Sequence, residues 1–286
     1  MIDLLTVVYR DELHLLKQQA QSFVNNIINN TADKNIKNIF VILNDPELSH
    51  EDINLDWYGF NGLRNKVRIF HRNEFGYYPP PNMRGWYTQQ VCKILGTINA
   101  ECEWCFIFDA KTLLVTNFNL ELVLSHYNRG RFADWSENIS SHWQTGLQFL
   151  KEKYNLEKFH WISPVGVPFL AHVPTMRAMV YEEPDFVEWF HTYCDFPNMF
   201  NRETRGITEF LCYSAYVSSI PGLFEKLYTG SQEISVYNLA DWEVDNFDEW
   251  FKKLKADGKT FTASIHPRAY ALLTDEQKDK WNSWIL

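Results

Sequence analysis

The sequence predicts an α/β protein whose mostly parallel sheet is covered by helices on both faces. In the first half of the chain, short apolar runs alternate with segments in which apolar residues recur at helical spacing. The strand-like runs are apolar without alternation, as expected for strands that are buried on both faces. In such sheets ligands bind at the carboxyl ends of the strands, so we expect the functional residues there.

The elements of the first half follow one another in a regular order. Residues 3–9 form an apolar, β-branched run typical of a buried strand, and Asp11 is placed to cap the helix that follows. Further strands are predicted at 36–43, at 66–71 and in the run that ends at Asp109, and a helix is predicted from Trp86 to Asn99. The segment 75–85 contains three consecutive prolines, so we expect a loop that covers a site.

The second half of the chain is less regular than the first. Helices are predicted at 185–194, 207–219, 246–257 and 274–284, and strands are predicted at 235–239 and 261–266. No repeat, low-complexity stretch or linker separates the two halves. We therefore expect a single domain over residues 1–286, with functional halves at 1–120 and 121–286.

Composition and charge argue against several functional classes. The formal net charge of -9 disfavours a nucleic-acid-binding surface, which is normally basic. No run of about 18 uncharged apolar residues is present, so no integral membrane segment is expected. The amino terminus lacks the features of a signal peptide, and five cysteines, an odd number, suggest free thiols. These features favour a cytoplasmic location.

One carboxylate stands at the edge of the sheet where ligands are expected. Asp109 directly follows the buried run Phe106-Ile107-Phe108, and the next charged residue is Lys111. A carboxylate that ends a buried strand can hold a metal or a sugar, but it can equally make a turn. Its position alone leaves both interpretations open.

The helix that precedes this strand carries polar side chains opposite its apolar face. Gln89, Gln90 and Lys93 lie within one turn of each other, and they offer amide and ammonium donors suited to sugar hydroxyls or phosphate. A solvated helix face is the alternative explanation.

Several stretches together resemble GT-A fold glycosyltransferases, and in particular a largely uncharacterised group of bacterial and viral glycosyltransferase-like proteins. They are Gly85-Trp86-Tyr87-x-Gln89-Gln90-x-x-Lys93, Phe108-Asp109-Ala110-Lys111-Thr112, Thr208-Glu209-Phe210-x-x-Tyr213 and Ile265-His266. The resemblance implies a GT-A-like domain with a Rossmann-type sheet, a nucleotide-sugar-binding half at 1–120 and an acceptor-side half at 121–286. It also implies transfer of a sugar from a nucleotide-diphosphate donor to a hydroxyl of a carbohydrate or glycoconjugate acceptor, in a bacterial cytoplasm or an infected host cell.

The resemblance includes one departure in the residues that hold metal. In the group named above, the strand ends in a DxD motif whose carboxylates bind Mn²⁺ or Mg²⁺, and the cation neutralises the leaving diphosphate. Here Lys111 replaces the second carboxylate. This replacement leaves three possibilities. Asp109 and His266 bind a metal more weakly, the ammonium of Lys111 replaces the charge of the metal, or the site has lost catalysis.

The remaining site residues take their roles from the resemblance and from their predicted positions. Tyr9, Arg10 and Asp45 follow the first two strands, where Tyr9 would stack on a nucleotide base and Asp45 would accept a hydrogen bond from it. Glu209 is the candidate base that takes the proton of the acceptor hydroxyl, and His172 would line the acceptor cleft. Each has a structural alternative: a turn at Asp45, a favourable helix start at Glu209 and a satisfied core histidine at His172.

Two other functional classes remain as alternatives. A sugar nucleotidyltransferase would share the strand order, but it normally carries a Gly-rich and basic loop after the first strand, and VVYRDELHLL lacks those glycines. A non-catalytic glycan- or nucleotide-binding protein on a transferase fold is favoured by Lys111 alone. Nucleotide-sugar hydrolysis with and without EDTA would separate the three classes.

Overall fold

The computed structural model describes residues 1–28, 32–59, 62–81, 83–131, 143–160, 168–194, 206–229, 235–258 and 260–285. The strands are β1 (Ile2–Val8), β2 (Ile36–Leu43), β3 (Val67–His71), β4 (Trp104–Asp109), β5 (Thr112–Leu114), β6 (Phe169–His172), β7 (Ser235–Leu239) and β8 (Thr260–Ile265). The α-helices are α1 (Leu13–Phe23), α2 (Gly85–Ile98), α3 (Leu120–Val123), α4 (Gln144–Lys153), α5 (Val173–Glu182), α6 (Phe186–Cys194), α7 (Glu209–Ser219), α8 (Leu223–Leu227), α9 (Phe247–Ala256), α10 (Pro267–Leu272) and α11 (Asp275–Ile285).

The central sheet has five strands in the order β3-β2-β1-β4-β6. β1 is buried at every residue and pairs in parallel with both β2 and β4, which brings the carboxyl ends of these three strands to one edge. β6 pairs antiparallel with β4, whereas the other pairings in this sheet are parallel. The predicted mixed α/β architecture with a mostly parallel sheet is therefore confirmed.

The helix α2 lies close against the sheet because of a glycine. A Cβ atom at Gly96 would collide with the side chains of Leu5 on β1 and Ile42 on β2. The absence of that atom lets the helix backbone approach the two strands, and the polar side chains of α2 are fixed relative to the strand ends as a result.

A second, smaller sheet was not foreseen. It has three strands in the order β5-β8-β7, and it packs on its own apolar cluster, which includes Leu113, Phe247, Phe251 and Trp281. The sequence predicted the strands β7 and β8, but β5 is only three residues long and gives no periodic signal. The small sheet matters for function because it begins three residues after the candidate carboxylate Asp109.

The prediction that Asp11 caps the first helix is wrong. The chain makes a 3-10 turn at Arg10–Glu12 before α1 begins at Leu13, so Asp11 lies within that turn. Glu12 is the residue whose carboxylate is used locally, and it accepts a hydrogen bond from the backbone N–H of Tyr9 at 3.3 Å.

The proline-rich loop lines a cavity of its own. Tyr77, Tyr78, Pro80 and Met83 line a cavity of about 870 Å³ whose other wall is formed by the end of α5 and by α6. The described residues of this loop do not line the cavity that contains Asp109.

Within the described ranges, no helix is both long and apolar enough to cross a membrane.

Candidate active site

A cavity of about 690 Å³ lies at the carboxyl end of β4. Six of the residues singled out in the sequence line it: Gln89, Lys93, Asp109, Lys111, Glu209 and His266. They come from α2, from the end of β4, from the start of α7 and from the segment after β8. Residues that are far apart in the chain thus meet at the edge of the sheet where ligands bind.

The small sheet brings His266 to the end of β4. After Asp109 the chain passes through Lys111 into β5, where Thr112 is paired with Ser264 on β8. The antiparallel register therefore places Lys111 beside the end of β8, and His266 is the next residue after that strand.

Helix capping and a buried amide fix Glu209 on the other side of the cavity. The hydroxyl of Thr208 accepts a hydrogen bond from the backbone N–H of Leu211 at 3.1 Å, so α7 begins at Glu209. The side-chain oxygen of Gln90 accepts a hydrogen bond from the backbone N–H of Glu209 at 3.2 Å. Glu209 is 4% exposed and faces α2.

Four charged side chains form a chain of ion pairs across the floor of the cavity. The carboxylate of Asp109 lies between two ammonium groups, with Oδ2 at 2.6 Å from Nζ of Lys111 and Oδ1 at 2.8 Å from Nζ of Lys93. The Lys93 contact is an ion pair without the angles of a hydrogen bond. Lys93 also donates a hydrogen bond to Oε1 of Glu209 at 3.1 Å. Lys111 is the more accessible of the two lysines.

The protonation of this cluster follows from burial and pairing. Burial favours the neutral form of Asp109, but Lys111 and Lys93 outweigh it and hold the pKa of that carboxyl well below its usual range. Burial raises the pKa of Glu209, and Lys93 offsets only part of that effect. Burial and the charge of Lys111 lower the pKa of His266, which favours its neutral form. Asp109 is thus a stable anion, while Glu209 is the more basic carboxylate.

The donor set does not fit a divalent cation. Both oxygens of Asp109 are already contacted by ammonium groups, which would repel a cation placed there. His266 is close enough to Lys111 for the lysine charge to lower the histidine's pKa. Within the part of the chain that the structure describes, no three His, Cys, Asp or Glu side chains are grouped so that they could hold a metal ion. Asp109 and His266 therefore do not form a site that suits a divalent metal ion.

Tyr9, Arg10 and Asp45 lie at the same edge of the sheet but outside this cavity. The hydroxyl of Tyr9 contacts the carbonyl of Gly85, the hydroxyl of Thr88 and the amide of Asn44, and it ties the end of β1 to the start of α2. Gly85 is needed there, because a Cβ atom would come within 2.8 Å of the Tyr9 hydroxyl oxygen.

Asp45 is occupied in the turn that follows β2. Its carboxylate accepts a hydrogen bond from the backbone N–H of Glu47 at 2.9 Å, and it lies 3.8 Å from the guanidinium of Arg10, which also pairs with Glu47. The turn that was the structural alternative for Asp45 is therefore present, and neither Tyr9 nor Asp45 lines the cavity that contains Lys93 and Asp109.

Two further sequence-based assignments are corrected by the geometry. Gln90 is buried and its side-chain oxygen serves the backbone of Glu209, and it is not among the residues that line the cavity. His172 is paired across from Trp104, at the start of β4, whereas Asp109 ends that strand. Because β6 runs antiparallel to β4, His172 lies at the opposite edge of the sheet, where its ring contacts Thr175 and Glu103.

Sequence reasoning missed Glu12 and three tryptophans. Burial and the charge of Asp109 raise the pKa of Glu12, so this carboxyl is close enough to the cluster to interact with it electrostatically. Its position shortly after β1, at the ligand-binding edge, was a signal that could have been used. Trp86, Trp143 and Trp242 line the cavity. Trp86 belongs to a motif that was recognised, whereas nothing in the sequence distinguished the other two from core residues.

The comparison with known proteins rests on structure rather than on sequence. The chain matches no protein-family model and no curated protein. It is similar to the galactosyltransferase LgtC in complex with donor and acceptor sugar analogues, with 11% identity, a TM-score of 0.51 and coverage of 98% of this chain and 95% of that one. An active-site mutant of LgtC gives a TM-score of 0.53 at 11% identity, with coverage of 98% and 95%.

A third similar structure is the bifunctional glycosyltransferase WbbM in its apo form. It shares 12% identity with a TM-score of 0.51, and the match covers 92% of this chain and 45% of that one. At these identities the likeness defines the fold alone. The chain therefore has a GT-A-like glycosyltransferase fold.

Proposed function

We propose that the protein transfers a sugar from a nucleotide-diphosphate donor to a hydroxyl of a carbohydrate or glycoconjugate acceptor. The observation that carries this proposal is the buried cluster of Lys93, Asp109, Lys111 and Glu209 in a cavity at the carboxyl end of β4. This edge of a GT-A-like fold is the place where a donor would bind. The similarity to glycosyltransferases of known structure supports the same class of reaction.

Lys111 is the residue that we assign to the leaving group. As the bond between the sugar and the diphosphate breaks, negative charge accumulates on the phosphate oxygen, and a nearby cation stabilises it. Lys111 can turn from Asp109 towards the diphosphate, because Lys93 remains 2.8 Å from Asp109 and still compensates that carboxylate. One ammonium carries half the charge of a divalent ion, so we expect slow turnover.

Glu209 is the residue that we assign to the acceptor. Its raised pKa makes it a stronger base than an ordinary glutamate, and it lines the same cavity as Lys111 and His266. In the proposed step the acceptor oxygen forms a bond to the sugar, the bond from the sugar to the diphosphate breaks, the acceptor proton goes to Glu209 and the nucleoside diphosphate leaves.

A second function, binding without catalysis, is favoured by one observation. Both oxygens of Asp109 are engaged by lysines, so the carboxylate that relatives are expected to use for metal is neutralised within the protein. A site of this kind could retain a nucleotide sugar without cleaving it.

Hydrolysis and transfer assays with and without EDTA test the proposal. With a panel of UDP- and GDP-sugars, we expect measurable donor binding and slow hydrolysis, and we expect EDTA to change neither, because ammonium groups occupy the place of the metal. Binding without any turnover would support the non-catalytic alternative. Failure to bind any nucleotide sugar would overturn both functions, and loss of turnover on chelation would overturn the role of Lys111.

The Lys111→Ala variant should bind the donor about ten- to a hundredfold more weakly than the parent. The reason is the loss of a charge-assisted contact worth about 1.5–3 kcal/mol. Lys111→Asp should instead supply a second carboxylate and make donor binding respond to Mn²⁺. Isothermal titration calorimetry measures both effects, and Lys253→Ala, which removes an exposed lysine, is the control. Equal donor affinity in Lys111→Ala and the parent would show that Lys111 serves only Asp109.

A further inference from the structure

Two tryptophans reach the cavity from different elements and leave part of their rings accessible. Trp86 is in the first turn of α2, and Trp242 lies in the 3-10 helix Asp241–Asn246 that follows β7. Both line the same cavity as Asp109 and Glu209. Trp86 is 38% exposed and Trp242 is 82% exposed. A tryptophan this exposed at the mouth of a cavity leaves a large apolar ring available for a ligand.

The ring of Trp86 is held in place from behind. It stacks on the buried ring of Trp143 with centroids 6.1 Å apart and an angle of 26° between the planes, and the edge of Tyr87 packs against it at 5.1 Å. A ring that is fixed in this way loses little conformational freedom when a ligand binds. The accessible part of Trp86 is therefore a preorganised apolar surface rather than a mobile side chain.

Hydrogen-bonding groups line the same cavity as the two rings. They are Asn238, Asp241, Glu243 and Arg268, of which Asp241 and Glu243 belong to the same 3-10 helix as Trp242. The carboxylate of Glu243 also accepts a hydrogen bond from the backbone N–H of Ala240 at 3.0 Å, which fixes the start of the 3-10 helix. Apolar faces with polar groups at their edges match a pyranose ring, whose C–H face is apolar and whose hydroxyls point outward.

The charges near Trp242 favour a neutral ligand over a phosphate. Asp241 and Glu243 contribute two negative charges, and Arg268 offsets one of them. The diphosphate is assigned to Lys111 and the neutral sugar to the tryptophan rings, so the donor and the glycan would use different groups of the cavity.

The rings also lie at a useful distance from the proposed base. Trp86 precedes Lys93 by two turns of α2, which corresponds to about 10 Å along the helix axis. Lys93 contacts Glu209 directly. A sugar on Trp86 therefore lies within the length of one or two pyranose rings of the Glu209 carboxylate.

We propose that Trp86 and Trp242 form an acceptor subsite that binds the pyranose ring of a neutral glycan. The inference rests on the proposed function in calling the ligand an acceptor, while the sugar-binding site itself stands on the geometry of the cavity. In this arrangement Trp86 and Trp242 contact the ring of the sugar, and the groups at the edge select among its hydroxyls.

Binding of neutral methyl glycosides to the full chain tests this subsite. With methyl glycosides of gluco-, galacto- and manno-configured disaccharides, we expect the parent to bind at least one, with a change in tryptophan fluorescence. Trp242→Ala should weaken that binding about tenfold, since stacking on an aromatic ring contributes roughly that factor. Trp242→Phe should restore most of the affinity. Because Trp242 is exposed, its removal leaves the core intact.

Matched measurements separate this inference from the proposed function. Trp86→Phe should keep the fold and weaken glycan binding. Tyr181→Ala removes a ring outside the cavity that is 74% exposed, close to the exposure of Trp242, and it should leave glycan binding unchanged. In a transfer assay, Trp242→Ala should raise the KM for the acceptor and leave the KM for the donor unchanged. Glycan binding that needs Trp242 in a parent without any donor turnover would support the subsite and overturn the transferase.

Two outcomes would overturn the subsite itself. One is a parent that binds none of the neutral glycosides, even though it binds and hydrolyses a donor. The other is a Trp242→Ala variant with the glycan affinity and the acceptor KM of the parent.

Discussion

Replacing Glu209 by glutamine should lower the turnover of sugar transfer by about 10²–10⁴-fold. Glutamine keeps the shape of the side chain and can still accept a hydrogen bond from Lys93, but it cannot take a proton from the acceptor hydroxyl. Donor binding should stay close to that of the parent, because the assigned donor contacts belong to Lys111. Steady-state kinetics together with calorimetry of donor binding separates the two effects. Glu249→Gln, at an exposed position on α9, is the matched control.

The pH dependence gives a second readout of the same residue. The pKa of Glu209 is raised by burial, so the acidic limb of kcat/KM should lie above the ordinary glutamate range of about pH 4.3. Activity should fall as the pH drops through that raised pKa, because the protonated carboxyl no longer acts as a base. The pH profile of Glu209→Gln should lack this acidic limb. Turnover within a few-fold of the parent, with the same pH profile, would mean that Glu209 only supports Lys93.

The sequence was informative where function depends on strand ends and short motifs. Asp109 could be placed at the ligand-binding edge, because an apolar run that stops at a carboxylate marks the end of a buried strand. Glu209 and His266 were found through motifs, and Lys93 was found through a motif together with its place on the polar face of the predicted helix. The structure brings all four to one cavity, although their catalytic roles stay predictions.

Long-range packing explains most of what the sequence did not reveal. Gln90 and Lys93 were read as a possibly solvated helix face, but α7 covers that face and buries both side chains. His172 was misplaced because the direction of β6 cannot be deduced from a four-residue strand. The hydroxyl of Tyr9 is engaged by Gly85 and Thr88, and the sequence does not reveal this because they lie more than 70 positions away in the chain.

The pairing of Asp109 with two lysines could not be deduced from the sequence either. Lys111 was expected to be a free cation that either repels a metal or replaces it. In the structure it shares Asp109 with Lys93, and Lys93 in turn is shared with Glu209. The altered motif and the buried lysine therefore belong to one charge-balanced unit, and the effect of changing either lysine depends on the other.

Replacing Lys93 by methionine should have the largest effect on stability. Methionine fills a similar volume but leaves Glu209 without its ammonium partner and Asp109 with Lys111 alone. Removing one partner of a buried ion pair costs about 3–5 kcal/mol of unfolding free energy, and we expect the lower part of that range because Lys111 remains. Urea denaturation at neutral pH measures the change. Lys253→Met removes an exposed lysine paired with Glu249 and should change stability by less than about 1 kcal/mol.

The stability that Lys93→Met loses should depend on pH in a defined direction. The pKa of Glu209 is raised in the folded protein, and loss of Lys93 should raise it further, so protonation of Glu209 relieves the unpaired charge as the pH falls. The low pKa of Asp109 stabilises the parent above the unfolded pKa of about 3.9, and this contribution is lost as the pH falls below it. The difference in unfolding free energy between the parent and Lys93→Met should therefore be largest near neutral pH and should become smaller as the pH falls.

A double variant separates charge from packing. Lys93→Met combined with Glu209→Gln removes the unpaired carboxylate, so it should recover part of the stability that Lys93→Met loses. Recovery without regained activity would show that the ammonium of Lys93 serves to hold Glu209 and Asp109 in place. Should Lys93→Met unfold at the same urea concentration as the parent at neutral pH, the buried ion pairs would contribute nothing to the fold. The proposal that Lys93 compensates Asp109, and so leaves Lys111 available for the donor, would then also be wrong.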